Sequence, residues 1–354
     1  MSRFATSVFL LASLTLAACG GNQSQAITPA AVDGLGTART AQTQSLVFIS
    51  DAWFTTSGKI NATGYSTNAD GETAPVVALD APGLEFESSG IAVSSKGAVA
   101  LDGESSNGAS VNVYPPGANG NMGPSAVYSC VGLGEAKALT FDKHDALYAM
   151  NFNPPRDGSN SIFVLPPNSE SGCPSGTHTI VGKRTQLFET PDGIAVSKTH
   201  IYAMTGAVDT SAILVFPITA NGDVRPSRII TGKKLGLQIP AGIAVDTKGE
   251  ILVADSYTNS IVVFAANAKG DVAPIRVIKG SNTQLYLPQG VEVAKDGRIF
   301  VVNSSYNSNV QGDSITVYAA DAKGNAKPIQ TIPGGNNHPK SEIGNPTALA
   351  LFEP

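Results

Sequence analysis

Between Pro240 and Ile278 four short apolar runs alternate with polar punctuation: Ala241-Gly242-Ile243-Ala244-Val245, Ile251-Leu252-Val253-Ala254, Ile261-Val262-Val263-Phe264 and Ile275 to Ile278, set apart by Gly, Asn, Asp and Lys. Runs this short, rich in β-branched residues and bounded by turn formers, predict strands joined by tight turns rather than helices. The pattern restarts at Pro288-Gln289-Gly290-Val291, so that Gly242 and Gly290 stand 48 positions apart. Four strands in a repeat of that length make one propeller blade.

The same unit recurs along the chain. Inner strands are predicted at Gly90-Ile91-Ala92-Val93, Ala138-Leu139-Thr140-Phe141, Gly193-Ile194-Ala195-Val196, Gly242–Val245, Gly290–Val293 and Thr347–Leu351. Second strands are predicted at Leu46–Ser50, Ala98–Leu101, Ala146–Met150, His200–Met204, Ile251–Ala254 and Ile299–Val302. Third strands follow at Ile60–Tyr65, Ser110–Tyr114, Ile162–Leu165, Ile213–Phe216, Ile261–Phe264 and Ile315–Tyr318. A Gly-x-x-x-Pro signal precedes the outer strand at Gly71/Pro75, Gly120/Pro124, Gly222/Pro226, Gly270/Pro274 and Gly324/Pro328, while the copy at Gly172-Cys173-Pro174-Ser175-Gly176 departs from it. Glycine supplies the turn, and an outermost strand tolerates proline because one of its edges needs no donor. The first repeat lacks its inner strand, which appears only at the C-terminus. The prediction is therefore an all-β, six-bladed β-propeller over residues 45–354, four antiparallel strands per blade, closed by the C-terminal strand pairing with the N-terminal blade.

Composition agrees with a folded all-β body: 42% hydrophobic and 14% charged residues, 37 glycines and 22 prolines. A net charge of -5, without a basic stripe, excludes the electrostatic footprint of a nucleic-acid binder. The first residues read differently. A basic Arg3, an apolar run from Phe4 to Leu16 and the tetrapeptide Leu16-Ala17-Ala18-Cys19 resemble a bacterial lipoprotein signal, with residues 1–18 removed and Cys19 acylated, palmitate among its chains. That resemblance implies an extracytoplasmic, lipid-anchored protein whose membrane partner is reached through the anchor; Gly20 after the cysteine, where a retention signal would place Asp, favours the outer membrane in a cell that has one. Residues 19–44 are Gly, Gln, Ser, Thr and Ala without apolar period and predict a flexible tether. The propeller is expected to be a monomer.

The run Val253-Ala254-Asp255-Ser256-Tyr257-Thr258-Asn259-Ser260-Ile261-Val262-Val263-Phe264 resembles the NHL repeat, and weaker copies occupy all six blades. NHL propellers mostly act as binding platforms, whereas the wider six-bladed group also contains lactonases and a streptogramin lyase, so the resemblance leaves two functional classes open. In gluconolactonase-like relatives an axial metal is held by the central residue of Pro-x-Gly and a Glu from another blade. The corresponding residues here are Ser89, Lys137, Asp192, Ala241, Gln289 and Pro346, a donor set too poor in oxygen for a hard cation. Asp192 is expected to be a turn residue or a partner of Lys137 across the channel. His144, His178, His200 and His338 fall in turns or at an outer strand, away from where a lyase base would stand, and no nucleophile elbow, phosphate loop or metal-binding motif occurs. No catalytic residue, metal or cofactor is predicted.

Two further expectations concern the loops. Cys130 lies just past one outer strand and Cys173 just before the next, which places them toward opposite faces and predicts that they do not pair. The loops joining second to third strands open on one face and carry Trp53, Phe54, Phe152, Tyr257 and Tyr306 beside short polar residues. With Asp192 at the axis they form the candidate ligand surface, since flat rings bury area while Asn, Ser and Asp set orientation; the alternative is that Asp255 and Asn303 satisfy loop backbone and the rings wedge between blades. The expected function is a non-catalytic envelope-anchored module that binds a protein, peptide or glycan through this face, with a divergent lactonase or lyase as the alternative.

Overall fold

The computed structural model describes residues 43–51, 61–81, 90–105, 108–152, 160–167, 170–188, 190–206, 211–305 and 312–354. Six antiparallel blades of four strands follow one another around an axis. From the inner strand outward, blade 1 is Pro346–Phe352, Leu46–Asp51, Ala62–Ser66 and Val77–Asp80, and blade 2 is Ile91–Val93, Val99–Ser105, Gly108–Tyr114 and Ala126–Tyr128. Blade 3 is Glu135–Phe141, Leu147–Phe152, Ser161–Leu165 and His178–Val181; blade 4 is Pro191–Val196, His200–Thr205, Ala212–Pro217 and Arg228–Thr231. Blade 5 is Pro240–Val245, Ile251–Asp255, Ser260–Phe264 and Arg276–Lys279; blade 6 is Pro288–Val293, Ile299–Asn303, Ser314–Tyr318 and Gln330–Pro333. The C-terminal strand closes the ring by pairing with blade 1, from Leu46 opposite Phe352 to Asp51 opposite Pro346.

The Gly-x-x-x-Pro signal has a second role. The turn between third and outer strands of each blade crosses to the outer edge of the preceding blade. There Gly120 lies beside Leu79, Gly172 beside Tyr128, Gly222 beside Ile180, Gly270 beside Ile230 and Gly324 beside Ile278, all in parallel pairing. Gly71 completes the circle by donating to Thr331 O of blade 6 at 2.8 Å. These six glycines hold φ between 59° and 101°, a conformation that side chains resist. Each outer strand is thereby covered by its neighbour, which blunts the exposed edges a propeller would otherwise present.

This crossing corrects the expectation for the cysteines. Gly172 donates to Val127 O at 2.8 Å and accepts from Ser129 N at 2.9 Å, bringing Cys173 onto the edge that Cys130 leaves. Their Cα atoms are 4.6 Å apart and the two form a disulfide between blades 2 and 3. The staple sits where the Gly-x-x-x-Pro signal is degenerate. Elsewhere the blades are held by apolar layers between sheets, such as Tyr202 and Val215 of blade 4 against Ile243, Ile251 and Val253 of blade 5.

Candidate functional site: the loop face and the axial channel

Antiparallel order places the second-to-third loops and the connections from each outer strand to the next inner strand on one face, here the loop face. Toward that face each second strand carries a buried polar residue: Ser50, Asp102, Asn151, Thr205, Asp255 and Asn303 are all at most 4% exposed. Asp102 accepts from Gly90 N at 2.7 Å, Asn151 from Gly134 N at 2.5 Å and Asn303 from Tyr286 N at 3.1 Å. Asp255 accepts from Gln238 N at 2.5 Å and Thr258 N at 3.0 Å. In these four blades the side chain fixes the connection entering its own blade, because those backbone donors have no ladder partner at the turn. Asp255 and Asn303 are thus structural clamps for the described connections into blades 5 and 6.

The candidate residues distribute unevenly over it. Tyr257 stands 64% exposed at the tip of the blade 5 loop. Phe152 is half-buried, its backbone paired with Glu135. Trp53, Phe54 and Tyr306, like Cys19 and Ser89, lie outside the described residues. The outer-to-inner connections add apolar groups that the loop pattern did not single out, Phe188, Ile239 and Tyr286, which are 54%, 42% and 39% exposed. Their signal was present as a large apolar residue just ahead of each inner-strand proline. Lys183, Arg184, Lys233 and Lys234 stand exposed on the same connections, and none belongs to an ion pair among the described residues.

The axial channel is narrow, about 80 Å³, and is lined by Lys137, Asp192, Gln289, Glu292 and Thr347 among the inner-strand residues. Lys137 forms an ion pair with Glu135 of its own strand. Burial pushes the Asp192 carboxyl up to about 7, opposed by the Lys137 charge, while the ion pair Lys137 makes is with Glu135. Glu292 stands where blades 4 and 5 carry Ala195 and Ala244. Burial pushes it up to about 8; the Val293 backbone acts against this and the Glu353 charge adds to it. Among the described residues no three His, Cys, Asp or Glu side chains converge, and the channel sets the Lys137 ammonium among the Asp192 and Glu292 carboxyls. None of the four histidines lines the channel; His200 binds the Thr199 hydroxyl through Nδ1 at 2.8 Å.

The NHL repeat model matches residues 237–264, which span the entry to blade 5 and its first three strands. No curated protein matches. Among solved structures, a protein of unknown function from Bacteroides caccae superposes with TM-score 0.58 at 9% identity, over 88% of this chain and 100% of that one. The WD40 β-propeller domain of Doa1 gives TM-score 0.53 at 9% identity over 84% of this chain and 88% of that one. A 6-phosphogluconolactonase-like protein from Bacteroides fragilis gives 0.50 at 13% identity over 88% of this chain and 98% of that one. At these identities the likeness is one of fold: this chain is a β-propeller that carries an NHL repeat.

Proposed function

We propose that the propeller is a non-catalytic, envelope-anchored binding module that recognises a protein, peptide or glycan through its loop face. The observation that carries this is that Tyr257, Ile239 and Tyr286 stay exposed on connections whose backbone Asp255 and Asn303 hold from below, with Phe188 exposed beside them on the entry to blade 4. Rigid aromatic groups on fixed loops lose little entropy on binding. The chain enters the propeller at Leu46, at the end of its strand opposite the loop face. A lipid on Cys19 would then attach the chain on the side of its entry rather than through the loop face. Capture from an envelope extract by the fragment 45–354 tests the reading: the combined Phe188→Ala, Tyr257→Ala and Tyr286→Ala variant should lose the partner that wild type retains, and equal capture by both would refute it. Loss of radiolabelled palmitate in full-length Cys19→Ser tests the anchor.

The two axial carboxyls support a second reading, a divergent lactonase or lyase, because groups held near neutrality inside a channel suit proton transfer. Lactone hydrolysis abolished by Asp192→Asn would favour it over the binding module.

A further inference from the structure

The six blades are near-copies, and their differences can be read position by position. Each carries a transverse row of four register-paired residues, from inner to outer strand, packed toward the next blade. The rows are Thr140-Tyr148-Val164-His178 in blade 3, Ala195-Tyr202-Val215-Arg228 in blade 4, Ala244-Leu252-Val263-Arg276 in blade 5 and Glu292-Phe300-Val317-Gln330 in blade 6. Blade 1 has Ala350-Phe48-Gly64-Val77. Blade 2 alone reads Ala92-Ala100-Val113-Ala126, with no large side chain in the row.

Where the row carries or adjoins an arginine, that side chain spans the junction to the next blade. Arg228 lies over the Tyr202 ring, 5.7 Å from its centroid, and donates to Ala266 O at 2.6 Å and Ala268 O at 3.1 Å in the next blade. Arg276 does the same to Ala320 O at 2.7 Å and Ala322 O at 3.2 Å. Arg298 lies over Phe300 and reaches Thr67 O of blade 1 at 2.7 Å. Where the row is small, a cleft of about 340 Å³ opens between blades 2 and 3. It is the size of a small-molecule site. Val113, Ala126, Tyr128, Phe141, Leu147 and Pro166 supply its apolar walls.

The cleft is edged by Lys96 of blade 2 and Asp145 of blade 3, on the face opposite the loop face. The Asp145 carboxylate is already engaged, accepting from Ser95 N at 2.8 Å and Ser95 Oγ at 3.1 Å and lying 3.7 Å from Lys96 Nζ. The Lys96 side chain is 65% exposed with that one long contact as its ion pair, against 12% for Asp145. The charge free to reach an incoming group is therefore the ammonium. Flat walls, room for one ring system and a cation at the edge define an occupant.

We propose that the cleft between blades 2 and 3 binds a small aromatic carboxylate, its ring between Tyr128, Phe141 and Pro166 and its carboxylate on Lys96. The site is separate from the loop face and stands without the function proposed for that face. Titration calorimetry on the fragment 45–354 with indole-3-acetate and with its uncharged amide tests it. Wild type is expected to bind the acid saturably, and the amide about 10-fold more weakly, since one charge-assisted contact is lost. Lys96→Gln should bring the acid to the affinity of the amide. Ala126→Arg installs the plug that blades 4 and 5 carry and should abolish binding of both with the melting transition intact; should that variant fail to fold, Ala126→Gln, with the residue of blade 6, replaces it. Absence of saturable binding by wild type, or undiminished binding in a folded Ala126 variant, would overturn the assignment.

Discussion

Removing the Cys130–Cys173 bond should lower the stability of the propeller by several kcal/mol without changing its fold. The two residues are 43 positions apart, and closing a loop of that length in the unfolded chain contributes about 4 kcal/mol at 25 °C in the chain-entropy account. The native state loses little else, because the Gly172 latch is made by backbone: its bonds to Val127 O and from Ser129 N remain when both sulfurs are replaced. Residues 45–354 number 310. At about 2.1 cal/mol/K per residue the unfolding entropy is roughly 0.65 kcal/mol/K, so the Tm should fall by about 6 °C. Differential scanning calorimetry of wild type, Cys130→Ser, Cys173→Ser and the double variant measures this. All three variants should melt together, because either single change opens the same loop. The fragment holds two of the three cysteines of the chain, so maleimide labelling under denaturing conditions should add nothing before reduction and two labels after it. A double variant that melts within a degree of wild type, or labelling without reduction, would refute both the bond and its energetic role.

Two other outcomes follow from the channel and the ring closure. In the folded protein Glu292 is held up at about 8 and Asp192 at about 7, whereas in the unfolded chain both ionise near 4. Between those values the native state keeps protons that the unfolded state has released, so stability should fall as pH rises from about 4 toward 8. Glu292→Gln should therefore melt higher than wild type above pH 8 and close to it below pH 5; identical pH profiles would show that the carboxyl is not held protonated. Deleting residues 346–354 removes the inner strand of blade 1, whose backbone pairs with Leu46–Asp51, and exposes the edge it covers. The truncated chain should lose its cooperative transition or aggregate, and a monomer with wild-type circular dichroism and melting would refute closure by that strand.

The fold was legible because the repeat states it six times. The apolar runs place every inner, second and third strand within a few residues of its observed position, and the missing first strand predicts the closure that Leu46 and Phe352 make. What the repeat does not contain is the path of its own turns. Register within a blade separates Cys130 from Cys173, and only the crossing of Gly172 onto the neighbouring blade, beside Tyr128, brings them together. The same crossing turns a proline-marked loop into an edge cover, a role invisible until two blades are seen side by side.

The candidate sites were less legible for a related reason, and that reason indicates where to look in such chains. A repeat is recognised by what its copies share, and the shared residues here are clamps, latches and packing: Asp255 and Asn303 hold loop backbone, as the alternative reading of the loops had it. Chemistry resides in the departures. Glu292 stands in a column otherwise of alanine and one threonine, Thr140, and becomes a carboxyl held near 8. Ala100 and Ala126 replace the large residues found in blades 3, 4 and 6 at the same registers, and the space so vacated is the cleft edged by Lys96. Both were present in the sequence once the copies were aligned by strand position. A small residue in a packed repeat is a loss of van der Waals contact that the neighbouring blades show to be avoidable. Retaining that loss between blades 2 and 3 is the physical argument for an external occupant there.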